Sequence, residues 1–133
     1  MTSRCVLLVY GHTHKPFETT RSAKGFGEPV HLANTGGWVV DTIDTNPLQG
    51  AAAVLVDEDL HVVSLRLYDQ QQNASDYRVK VAPVTDPDSD LFKRLTELVR
   101  PEEGCWRSLS QAISVAVPER HQALATIIQR SSS

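Results

Sequence analysis

The hydrophobic period changes once along this chain, and that change bounds what the chain can fold into. Up to Asp69 the apolar residues come in short runs, Cys5 to Tyr10, Val30 to Asn34 and Ala51 to Val56, each closed by glycine or polar residues. From Asp88 onward Leu91, Phe92, Leu95, Leu98 and Val99 recur at steps of three and four. Short runs with turn signals predict strands, and the later spacing predicts a helix with one apolar face. A β-rich first part and a helical last part place the chain among α+β or α-β sandwich folds.

The local readings follow from that division. Residues 4–10 predict a buried strand stopped by Gly11. Residues 15–29, with Gly25, Gly27 and Pro29, read as a polar loop, and Val30 to Asn34 as a second strand. Thr35-Gly36-Gly37 breaks that strand, Trp38-Val39-Val40 resumes it, and residues 41–50 form a further loop. Ala51 to Val56 and His61 to Tyr68 predict a hairpin, its first arm buried on both faces and its turn made by Asp57-Glu58-Asp59. Residues 70–87 read as a polar linker with one strand near Tyr77 to Val84, and residues 88–133 as helical. Asp88 or Ser89 is the expected cap of the first helix and Pro101 its end. Trp106, Leu109, Ile113 and Ala116 predict a second helix, with Pro118 opening a third.

Composition narrows the function classes. The 133 residues suffice for one domain with a core, and 41% apolar with 22% charged residues fits a globular protein. The net charge of −3 and the scattered Lys and Arg supply no basic stripe for nucleic acid, and no apolar run is long enough to span a membrane. Met-Thr-Ser-Arg leads into a strand without a signal-peptide pattern, and Cys5 and Cys105 lack ligand spacing. Both cysteines are expected to be reduced and buried, in a cytoplasmic protein.

The residues that carry chemistry are Gly11-His12-Thr13-His14. Side chains two positions apart on extended backbone point to one side, so His12 and His14 can present two imidazoles together after a strand that ends in glycine. Neutral imidazole is a common ligand for zinc, manganese and iron. Two imidazoles alone do not fill a four- or six-coordinate sphere.

A strand, Gly11-His12-Thr13-His14-Lys15-Pro16, a glycine-containing loop, Asn34-Thr35-Gly36-Gly37-Trp38, then a hairpin: this order resembles the C-terminal part of calcineurin-like metallophosphoesterases. Gly37 stands where that pattern usually has serine, and the resemblance covers residues 4–69. It implies that residues 1–69 are the C-terminal strands of a partial four-layered α/β/β/α sandwich. It implies divalent metal ions (Mn, Fe or Zn), with His12 a ligand of one and His14 of the other, and a phosphate mono- or diester as substrate. Gly11, Asn34 and Gly36 would support the histidine loop. The family's earlier motifs are absent: Gly-Asp and Gly-Asn-His occur nowhere, and Asp59-Leu60-His61 sits in the wrong order. The lone chain is therefore expected to be weak or inactive, and to be completed by a homodimer or an N-terminal partner chain. A truncated product, a misplaced start, a split subunit and a degenerate descendant all fit this pattern, and so does a non-catalytic interaction module. Val6, Leu8, Val54 and Val56 are expected to face the missing part of the sandwich.

Other polar residues have simpler readings. Asn34, Gly36 and Gly37 are turn formers, and Trp38 is a packing residue. Lys15, Arg21 and Lys24 read as solvated loop cations. His31, His61 and His121 lack ligand spacing. Asp57 and Asp59 form a turn, while Asp41 and Asp44 are the nearest carboxylates after the second motif.

Overall fold

In the computed structural model, residues 6–11, 16–37, 51–70 and 77–133 are described. They form a small α+β protein with two three-stranded sheets. The first sheet has the order β1-β3-β2, from β1 (Val6–Tyr10), β2 (Phe17–Arg21) and β3 (Val30–Asn34), with β1 parallel and β2 antiparallel to β3. The second is an antiparallel meander of β4 (Ala52–Val56), β5 (Val62–Gln70) and β6 (Tyr77–Pro83). Helices α1 (Asp90–Leu98) and α2 (Gly104–Ser131) follow and contact β5 and β6.

Strand register decides which residues face the core. Leu7 pairs with His31 and Val9 with Ala33, so these four share one face with Glu18 and Thr20 of β2. That face meets the second sheet: Ala33, Val62 and Val84 form a buried cluster, with Leu7 and Val54 packed against it. Across the same gap Glu18 accepts two hydrogen bonds from Arg66, at 2.8 Å and 3.3 Å, with both side chains only about an eighth exposed. Among the described residues the buried apolar side chains are valine and alanine, with Tyr77 as a large exception.

The second sheet's open edge is covered by α2. The β6 amides of Tyr77 and Val79 donate to the hydroxyls of Ser114 and Ser110, at 3.0 Å and 3.4 Å. Serines four apart lie on one helix face, so they match alternate outward-pointing groups of an edge strand. Ser89 caps α1 by accepting from the Phe92 amide.

Several expectations are corrected. The 15–29 segment is not all loop: Phe17-Glu18-Thr19-Thr20-Arg21 is a strand held by β3. Pro118 does not open a third helix. It lies inside α2, where neighbouring turns packed on β6 offset its missing donor. Cys105 is exposed in the first turn of α2 rather than buried, and Cys5 lies outside the described residues. Strand β4 is half-buried rather than buried on both faces. Val54 packs on the core, while Leu8 and Val56 are about half exposed. The expected strand near Tyr77 to Val84 is present as β6 of the second sheet, and of the two expected caps Ser89 takes the role. The predicted Trp38 to Val40 strand and the 41–50 loop lie outside the described residues.

Candidate functional site

The two motifs meet at one end of the first sheet. Register places Tyr10, Asn34 and Phe17 in a row, so Gly11 follows one edge strand and Pro16 precedes the other at that same end. The Tyr10 and Phe17 rings, flanking Asn34, stack edge to face with centroids 5.9 Å apart.

Gly11 is required there by close approach. A Cβ on Gly11 would stand 2.6 Å from Thr35 Oγ1, well inside contact distance. The backbones are tied as well: the Thr35 amide donates to the Tyr10 carbonyl at 2.8 Å. Asn34 is fully buried, and its Oδ1 accepts from the Gly36 amide at 2.9 Å, an Asx turn that closes β3. Gly36 has φ +68°, a conformation that favours glycine. It bridges Ala51, and the Ala52 amide donates to the Thr35 carbonyl at 2.7 Å, so this turn joins the two sheets.

His12, His14 and Lys15 lie outside the described residues, as do Trp38, Asp41 and Asp44. The supporting residues Gly11, Asn34 and Gly36 are described and brought together. Among the described residues no group of three or more His, Cys, Asp or Glu could hold a metal ion. His31 shares a hydrogen bond with Thr20 at 3.0 Å, and Arg21 and Lys24 are exposed. No helix among the described residues is long and apolar enough to cross a membrane.

A histidine and a carboxylate pair elsewhere. Asp57 Oδ1 accepts from the amides of Asp59 and His61, and Oδ2 meets His61 Nδ1 at 2.9 Å. This closes the β4–β5 turn, in which Leu60 has φ +63°. The hydrogen bond to Asp57 raises the His61 pKa above its usual 6.5 against some desolvation. Desolvation pushes the Asp57 carboxyl up, but the His61 and Asp59 hydrogen bonds together hold it below 3.8. Sequence spacing missed this pair, although Asp-x-x-x-His across a tight turn was its available signal.

No family model, curated protein or solved structure matches this chain. The described residues therefore supply a braced loop end, and they do not supply a metal-ligand set.

Proposed function

We propose that this chain is the C-terminal part of a calcineurin-like metallophosphoesterase, with its two sheets belonging to that family's four-layered sandwich. In this reading His12 and His14 are ligands of divalent metal ions, and Gly11, Asn34 and Gly36 hold the loop that carries them. The family chemistry is metal-dependent hydrolysis of phosphate mono- or diesters. The lone chain is a weak or inactive catalyst, because two imidazoles leave the metal sphere and the nucleophile incomplete.

The observation that supports this reading is the meeting of the two motifs. Gly11 and Thr35 are 24 positions apart, yet the glycine has room for no side chain beside Thr35. Turn formers with only local roles would have no need of that approach.

A second reading is a C-terminal subunit of a split phosphoesterase, or a non-catalytic interaction module. It is favoured by the outward face of the first sheet, where Leu8 and Tyr10 are 52% and 40% exposed beside half-buried Val6, Phe17 and Leu32. Among the described residues β1 also has a free edge.

The test is Mn²⁺ binding by calorimetry, paired with hydrolysis of a chromogenic phosphodiester. The expected result is Mn²⁺ binding lost in His12→Ala and in His14→Ala, with no turnover above those variants. Equal Mn²⁺ binding by all three proteins would remove the metal reading and leave the interaction module. Turnover abolished by both substitutions would show that the chain completes its own site.

A further inference from the structure

Strand β1 is open to solvent on both faces and along one edge. It ends the order β1-β3-β2, and among the described residues nothing pairs with its outer side. On the inner face Ala33 of β3 is fully buried, whereas Val9 beside it is 48% exposed. The second sheet therefore covers β3 and stops short of β1. On the other face Leu8 and Tyr10 are 52% and 40% exposed. A helix or loop lying on one face would cover only one of these sets, whereas a further strand beside β1 would cover both. Val-Leu-Leu-Val-Tyr also lacks charge, proline and glycine, the devices that keep an edge from pairing.

The hydrogen-bonding groups of that edge fix the geometry of a partner. The Tyr10 carbonyl accepts from the Thr35 amide, so it points toward β3 and the turn that follows it. Along a strand the N–H and C=O of one residue point to the same side, and those of the next residue to the opposite side. Val6, Leu8 and Tyr10 therefore bond β3, while Leu7 and Val9 aim their N–H and C=O groups outward. In an antiparallel pair, outward residues placed opposite one another exchange two hydrogen bonds. A second copy of β1 meets this condition when Leu7 lies opposite the partner's Val9, and Val9 opposite the partner's Leu7. The two-fold axis then passes at Leu8, whose side chain meets its own copy, and Val6 stands opposite the partner's Tyr10. Apolar faces apolar at every position. No other antiparallel register pairs both outward residues within Val6–Tyr10.

We propose that β1 forms an isologous homodimer interface, which joins two copies of the first sheet into one continuous sheet of order β2-β3-β1-β1-β3-β2. This deepens the interaction-module reading and needs no metal. A five-residue edge is small beside a standard interface of about 1,600 Å², so association falls in the micromolar range rather than the nanomolar.

Sedimentation equilibrium on the full chain, from about 1 μM to 1 mM, tests it. The expected mass rises from one chain of 14.7 kDa to two. Over the same range amide exchange slows at Leu7 and Val9, which gain partners, more than at Leu8, which already has one. Leu8→Lys and Leu8→Glu each weaken association about tenfold by setting like charges together at the axis. An equal mixture of those two proteins associates more tightly than either alone. Circular dichroism separates lost association from lost folding, since Leu8 is exposed. A single-chain mass up to the highest concentration would overturn the proposal. So would a dimer that neither substitution weakens, or a mixture that associates no better than its components. Mn²⁺ binding and turnover decide the module reading and mass decides the dimer, so the two fail separately.

Discussion

His61 and Asp57 show how a single turn acquires a pH dependence. The His61 pKa is raised, so its contribution is fully present below its unfolded value of 6.5 and is lost as pH rises through the folded value. The Asp57 pKa is lowered, so its contribution is present above 3.8 and is lost as pH falls through the folded value. The β4–β5 turn is therefore best held between about pH 4 and 6.5. An NMR titration of the imidazole should give a midpoint above 6.5, and Asp57→Asn should bring it down. An unchanged midpoint in that variant would mean that the 2.9 Å contact is not made in solution. The turn itself was legible from Asp57-Glu58-Asp59. The histidine partner was not, because ligand spacing is a poor guide to a pair made by backbone reversal.

Helix α2 carries the clearest disagreement between local rules and the folded chain. Proline ends an isolated helix because it lacks a donor and crowds the preceding turn, costing about 3 kcal/mol. Here the turns before Pro118 are anchored on β6, and the helix continues. Ser110 and Ser114 are part of that anchor, each accepting from a β6 amide that would otherwise be an open edge. Replacing both with alanine should cost about 1–3 kcal/mol in total and leave helix content largely intact. Hydrogen exchange should then accelerate at the Tyr77 and Val79 amides ahead of other strand amides. Exchange that rises evenly across the protein would count against a specific edge-covering role. Strand β2 is the converse case, since Phe17-Glu18-Thr19-Thr20-Arg21 has too little apolar alternation to announce itself. The adjacent β-branched threonines were its one local signal.

Among the described residues Glu18 and Arg66 form an ion pair that ties the two sheets together. The pair is bidentate and largely shielded, so removing Glu18 takes two charge-assisted hydrogen bonds from Arg66 between the sheets. Glu18→Ala should destabilise by about 2–4 kcal/mol, short of the full penalty for a completely buried pair. Glu18→Leu with Arg66→Met should cost far less than the sum of the single changes, by urea denaturation in a double-mutant cycle. Additive costs would show that each residue acts separately. Residues 48 positions apart give no pairing signal in a single sequence, and only the facing of two sheets brings them together.

The amino-acid pattern alone determined the α+β division, the β4–β5 hairpin, β3, α1 with its cap narrowed to Asp88 or Ser89, and the Gly11 and Asn34–Gly36 breaks that end two strands. These features are written in hydrophobic period, turn chemistry and glycine placement, all acting over a few residues. Tertiary structure decided which strands pair, that β2 exists, that α2 runs through Pro118, and that Cys105 faces solvent. It also decided that Gly11 and Thr35 touch. Those outcomes depend on contacts between distant segments, where packing outweighs the local preference of any one residue.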